Sequence, residues 1–348
     1  MSTNVFSNFR KKTFLAKVLT VLTAILFLMG VIGIAIAISA RGKLKLAKAP
    51  IKITNVNDRY QAYKATLKRQ ILSKKAFKKW EKSLKKEKKS ADAANDTRKK
   101  RVYSLNFKGD LHAREVDSLR EEITAILSVA TEGDEVVIHL ESPGGSVVGY
   151  GLAASQLERI RARNIRLTVS VDKIAASGGY KMACVADHLV TAPFAMIGSI
   201  GVVMGLPNFH RLLKKKDIDY ELLTAGEYKR TLTLFGENTN AARQKDQEKL
   251  EDFHTLFKDH IASYRPQVDI DRVGNGDYWA AKRALEMGLV DELITSDDLL
   301  LSMNETADIY EVRYNPPKKI IEKLSESSSE LIKDAVLSLW ETIRTSWY

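Results

Sequence analysis

Sixteen residues constrain the fold most: Val169-Ser170-Val171-Asp172-Lys173-Ile174-Ala175-Ala176-Ser177-Gly178-Gly179-Tyr180-Lys181-Met182-Ala183-Cys184. The stretch opens as a β-branched strand, turns through two alanines, and sets a serine before a glycine pair. Small and apolar residues then read as a buried helix. A serine at such a strand-to-helix turn has its hydroxyl exposed. The next amide, that of Gly178, points from a helix N-terminus, where negative charge is favoured. An attacking oxygen beside a donor for the oxyanion is what a nucleophile needs. A serine followed by two glycines also makes ordinary turns, so this stretch needs company.

Glu135–Glu141 supplies it, reading as a strand that ends in Ser142-Pro143-Gly144-Gly145-Ser146. Glycines there let backbone N–H groups approach a ligand with no Cβ in the way. Alone, the pair is a tight turn; one strand–helix unit before Ser177, it reads as an oxyanion hole. The surrounding pattern is strand 101–107, helix 115–129, strand 135–141, helix 148–163, strand 166–172 and helix 177–186. That alternation predicts an α/β fold of parallel strands with crossover helices. Catalytic groups belong in the turns after the strands, where both glycine motifs lie.

The net charge of +12 is unevenly spread: residues 1–40 carry +4, residues 41–101 carry +17 and residues 102–348 carry −9. Val18–Ala40 is an uncharged run of 23 residues, long enough to cross a bilayer core of about 30 Å as a helix. Ala35-Ile36-Ala37 resembles a signal cleavage site, but the apolar run exceeds the roughly 7–15 residues of a signal peptide's apolar core. It is therefore expected to stay as an anchor. Lysine and arginine crowd both of its ends, so the positive-inside rule does not decide its orientation. Between Asp58 and Lys89, Tyr60, Tyr63, Leu67, Ile71, Phe77, Trp80 and Leu84 recur at helical spacing amid lysine and arginine. This predicts a basic amphipathic helix, lying on anionic lipid or serving as a solvated stalk. No recognised nucleic-acid fold accompanies the charge, so no nucleic-acid partner is expected. Residues 91–100 read as a flexible linker.

Leu189–Phe209 is uncharged too, yet Pro193, Gly198, Gly201 and Gly205 interrupt it, which predicts short buried strands in place of a span. The single Cys184 excludes an intrachain disulfide, and no cluster has metal-ligand spacing, so neither metal nor cofactor is expected. Residues 239–264 form a long charged helix with Phe253, Leu256, Phe257 and Ile261 on one face. Ala284 through Gly288-Leu289-Val290-Asp291 reads as a helix stopped by glycine before a short strand. Leu331–Trp347 predicts a C-terminal amphipathic helix, suited either to a contact between subunits or to its own domain. Serine needs an adjacent base. Lys181 lies one helical turn after Ser177, but an exposed lysine there stays charged. His139 sits inside a strand, as a core or surface residue.

Ser142-Pro143-Gly144-Gly145, Ala176-Ser177-Gly178-Gly179-Tyr180, Gly198-Ser199-Ile200-Gly201-Val202 and Gly226-Glu227-Tyr228-Lys229 resemble, in that order, motifs of the signal peptide peptidase A family of serine peptidases. The resemblance covers roughly residues 101–315 and the layout of anchor and basic spacer. It implies the ClpP/crotonase-like fold, a right-handed spiral of β-β-α units preceded by a transmembrane helix and a basic amphipathic helix. The expected division is 1–17 basic segment, 18–40 anchor, 41–100 spacer and linker, 101–315 peptidase domain and 316–348 C-terminal helical segment. It also implies Ser177 as nucleophile and Lys229 as general base. The oxyanion would be held by the N–H groups of Gly178 and of Gly145 or Gly144. No histidine fits a family motif. Further implications are a bacterial inner-membrane protein with a periplasmic catalytic domain, unfolded or membrane-derived peptides as substrates, and a homo-oligomeric ring. Two rivals remain: a crotonase-type acyl-CoA enzyme, which needs neither Ser177 nor a lysine base, and a non-catalytic membrane scaffold.

Overall fold

The computed structural model describes residues 50–93 and 100–316. In chain order, β1 (Ile51–Asn55), α1 (Val56–Ile71) and α2 (Lys74–Ala93) come first. Next are β2 (Lys100–Lys108), α3 (Val116–Leu127), β3 (Glu135–Glu141) and α4 (Val147–Arg161). β4 (Arg166–Val171), β5 (Ile174–Ala176), α5 (Gly178–Ala183), β6 (His188–Thr191) and β7 (Met196–Gly198) follow closely on one another. The remainder comprises α6 (His210–Lys214), α7 (Asn240–Tyr264), α8 (Ile270–Val273), β8 (Tyr278–Ala280) and α9 (Ala281–Glu286). The described chain ends with β9 (Glu292–Leu293), α10 (Ser296–Met303) and β10 (Ala307–Tyr314).

The apolar side chains of β2, β3 and β4 fall on both faces of their strands and need cover on each, which the fold supplies. A seven-stranded sheet runs β1-β10-β2-β3-β4-β6-β9, parallel except where β1 meets β10. Val136 and Ile138 join the larger core with Leu119 and Ile123 of α3 and Leu157 of α4. Val137, from the opposite face of the same strand, packs in a second core with Val56 of α1 and Leu299 and Leu300 of α10.

A three-stranded sheet, β5-β7-β8, lies beside the first. β4 pairs with β6 in the large sheet while β5 pairs with β7 in the small one. Two successive strand–strand units therefore lie side by side, and the first runs on into α5. The uncharged stretch 189–209 supplies β6 and β7, with Leu189, Val190, Ile197 and Ile200 fully buried. Gly288 ends α9 at φ 74°, with Leu289 N–H donating to Ala284 O at 2.9 Å.

The spacer differs from expectation. The single helix expected between Asp58 and Lys89 is two, because the chain turns extended at Leu72 and Ser73 caps α2 through Ala76 N–H (3.3 Å). A strand precedes both, β1, paired antiparallel to β10. The Val18–Ala40 run and the Leu331–Trp347 helix lie outside the described residues. Among the described residues no helix is long and apolar enough to cross a membrane.

Candidate active site

Ser177 stands between β5 and α5 with φ 51° and ψ −120°, a conformation non-glycine residues adopt only under constraint. Three anchors hold it. Its own N–H donates to Gly198 O (2.8 Å), its carbonyl accepts from Lys181 N–H (2.9 Å), and Ala176 N–H donates to Ser142 O (3.0 Å). The Ser177 hydroxyl has no hydrogen-bond partner among the described residues and lines a cavity of 690 Å³. A strained backbone presenting an unpaired hydroxyl to a cavity is the arrangement of a nucleophile.

The Gly144–Gly145 loop lies directly against it. A Cβ on Gly144 would sit 2.7 Å from Gly178 N, Ala176 O and Ser177 Cβ, and the residue's φ is +89°. Only glycine allows this approach. The two glycine motifs, 33 positions apart at Gly145 and Gly178, thus form one wall.

A relay of hydrogen bonds beneath that wall sorts the two glycine amides. Tyr150 OH donates to Asp110 O (2.8 Å), so its oxygen accepts from the Ser142 hydroxyl (2.6 Å). Ser142 Oγ in turn accepts from Gly144 N–H (3.1 Å). With one proton per hydroxyl, the direction of every bond is fixed. Gly144 N–H is therefore committed inward. The amides of Gly145 and Gly178 donate to no acceptor among the described residues, and both residues line the cavity. Of the two candidates in the first loop, Gly145 is the free donor. Tyr150 is wholly buried, its ring directly under Gly178, and burial raises its phenol above the usual range.

Ser142 and Tyr150 are the residues that sequence reasoning passed over. Their signal was the serine opening the Ser-Pro-Gly-Gly motif and the aromatic eight positions later on α4. Apolar side chains complete the cavity: Leu111, Val147 and Val203, with Phe253 and Phe257 from the expected face of α7. Cys184, at the end of α5, is fully buried, and burial pushes its thiol up to about 12. At neutral pH it is an inert thiol.

Two lysines stand differently. Lys181 lines the cavity, its ammonium 5.8 Å from the ring centroid of Phe257. Lys229 does not line it. It sits in the wholly exposed stretch 221–230, turned back by a bond from its N–H to Gly226 O (3.1 Å). Of the six histidines only His112 reaches the cavity wall. His139 faces the other way, Nε2 at 3.1 Å from Ser104 Oγ, and burial lowers its basicity. Among the described residues no group of histidines, cysteines and carboxylates is placed to hold a metal.

Comparison with known proteins identifies the framework. Residues 8–157 match the model of the peptidase family S49 N-terminal region, and residues 159–310 match that of peptidase family S49. A Haemophilus influenzae protein named "Probable protease SohB" is 45% identical over 324 residues, 90% of this chain and 91% of its own. Its namesake from Buchnera aphidicola of Acyrthosiphon pisum is 54% identical over 242 residues, 70% of this chain and 72% of its own. Two adjoining family matches around one serine-bearing cavity, and relatives of equal extent, place the chain in peptidase family S49.

Proposed function

We propose that the chain is a membrane-anchored serine endopeptidase with Ser177 as nucleophile and Lys229 as general base. The observation that carries it is Ser177 itself, strained and unpaired beside the two free amides of Gly145 and Gly178. In the reaction Lys229 takes the proton from Ser177 Oγ and the oxygen attacks a peptide carbonyl. The oxyanion settles on the Gly145 and Gly178 N–H groups. Lys229 then returns the proton to the leaving amine, and water hydrolyses the acyl-enzyme. Val18–Ala40 is the anchor, in a bacterial inner membrane with the catalytic domain on the periplasmic side. Unfolded or membrane-derived peptides are the substrates.

A lysine acts as base where burial lowers its pKa towards neutrality. Residues 221–230 are all exposed within one chain. Leu223, at 93% exposure just before the motif, and Tyr228, at 53% within it, leave apolar surface uncovered. A neighbouring chain laid over this segment would bury Lys229 and bring it to that chain's serine. Lys181 is the second reading, because it alone of the two lines the cavity.

Labelling of the full chain by a fluorophosphonate probe tests the assignment. The wild type should label, Ser177→Ala should not, and Lys181→Ala should keep most of the signal. Lys229→Arg, which keeps the charge but cannot deprotonate near neutral pH, should be as silent as Lys229→Ala. A silent Lys181→Ala with an active Lys229→Ala moves the base to α5. Labelling that survives Ser177→Ala removes the nucleophile from the proposal. A chain that never labels but turns over acyl-CoA thioesters is a crotonase-type enzyme instead.

A further inference from the structure

Residues 56–86 form a pair of helices with one end fixed and the rest uncovered. The root is α1. Val56 is buried, Asn57 Nδ2 donates to Ala307 O (2.9 Å), and Asn57 Oδ1 accepts from Ile309 N–H (2.7 Å). Arg59 pairs with Glu311 at 3.6 Å. Beyond Ser73, α2 meets the end of α1 through two cation–aromatic contacts. Lys68 Nζ lies 4.8 Å from the Trp80 ring centre, and the Arg69 guanidinium 5.5 Å from that of Phe77.

Eleven lysines and arginines in this stretch face two acids, Asp58 and Glu81. Lys74, Lys75, Lys78, Lys79 and Lys82 have no counter-ion among the described residues. They recur three and four positions apart, where like charges on a helix repel. An extended anionic surface would relieve that repulsion. Two further observations say which one. Tyr63, Leu67 and Ile71 form a stripe at four-residue intervals on α1, each more than half exposed, which gives a soft interface something to bury. Phe77 and Trp80, by contrast, are half-buried under the heads of Arg69 and Lys68, and not free to stack on nucleic-acid bases. Ten residues separate Ala40 from Ile51. In the membrane-anchored reading they tether the root of α1 within about 35 Å of the bilayer.

We propose that the α1–α2 pair binds the surface of an anionic phospholipid bilayer, with the lysines of α2 on the headgroups. The reach, though not the charge, rests on the anchored reading of Val18–Ala40.

Amide exchange over residues 74–86 tests it on the full chain in nanodiscs. One set is pure phosphatidylcholine, and the other carries about a third phosphatidylglycerol. Exchange should be about tenfold slower in the anionic discs, with the difference lost at about 0.5 M salt. It should also vanish when Lys74, Lys75, Lys78, Lys79, Lys82 and Lys85 are all changed to Gln, with fluorophosphonate labelling of Ser177 intact. Equal exchange in the two discs at low salt overturns the proposal. So does slowing by added duplex RNA but not by phosphatidylglycerol, which assigns the surface to nucleic acid. A chain that does not stay in discs counts against the anchored reading alone. Cosedimentation of the same chain with phosphatidylglycerol vesicles then decides: binding lost in the six-glutamine variant supports the proposal, and no binding overturns it.

Discussion

Tyr150 is wholly buried, and the relay from Asp110 O to Gly144 N–H passes through its hydroxyl. Tyr150→Phe keeps the ring under Gly178 and removes one oxygen. The Ser142 hydroxyl then lacks its acceptor, a loss of about 1–3 kcal/mol for a buried group. Gly144 keeps its bond to a serine free to rotate, so the adjoining Gly145 amide is held less firmly. Since each 1.36 kcal/mol of transition-state stabilisation is tenfold in rate, kcat should fall by about tenfold while KM changes little. Steady-state peptide cleavage reads both. An equal rise in KM with kcat unchanged would mean that Tyr150 serves substrate binding and not the oxyanion hole. The serine and the glycines were legible because strand-end glycine motifs carry their own mechanism. The relay was not, because its members come from three segments and meet only once β3, α4 and the 109–113 turn are packed. Lys229 is the opposite case: legible from its motif, and absent from the cavity wall of its own chain.

Between elements, a single acid reports on packing. Glu122 of α3 is 4% exposed and accepts the Tyr314 amide of β10 at 2.7 Å. Burial, opposed by that hydrogen bond, raises its carboxyl to about 7 from an ordinary 4.5. The folded state therefore holds a proton between about pH 4.5 and 7 that the unfolded chain has released. The Glu122 contribution to stability falls as pH rises through that window, by about 3 kcal/mol in all, and is flat above it. Glu122→Gln keeps an acceptor for Tyr314 and removes the charge, so the variant should lack this loss across the same window. Chemical denaturation of wild type and variant at pH 5 and pH 8 measures the difference; parallel profiles would mean that Glu122 ionises freely. This contact also marks where sequence reading stopped. β2, β3 and β4 announce themselves by their valines, leucines, isoleucines and aromatics between turn signals. β1, Ile-Lys-Ile-Thr-Asn inside a lysine-rich stretch, has a partner more than 250 positions away, and no local pattern names it. The break between α1 and α2 was written in Ser73, a capping residue that the wider 3.6-residue periodicity concealed.

At the scale of the whole molecule, exposed apolar side chains recur along the chain in the stretch that leads to Lys229. Val203 is 92% exposed and Leu223 93%, and Met204, Ile218, Tyr220 and Leu222 are each more than two-fifths exposed. In water this segment is costly to leave uncovered. A second copy that covers it would also deliver Lys229 to a neighbouring serine, and a head-to-tail contact of that kind repeats until it closes into a ring. Mixing two inactive proteins tests this. Ser177→Ala supplies an intact lysine and Lys229→Ala an intact serine. After subunit exchange of equal amounts, about a quarter of the junctions in a head-to-tail ring pair the two intact residues. Peptidase activity should therefore return to about a quarter of the wild-type level. If each chain completes its own site, every site keeps one defect and the mixture stays silent. Exchange itself is checked by energy transfer between differently labelled subunits. Demonstrated exchange without recovered activity would sink the shared site while leaving the Ser177/Lys229 dyad itself standing.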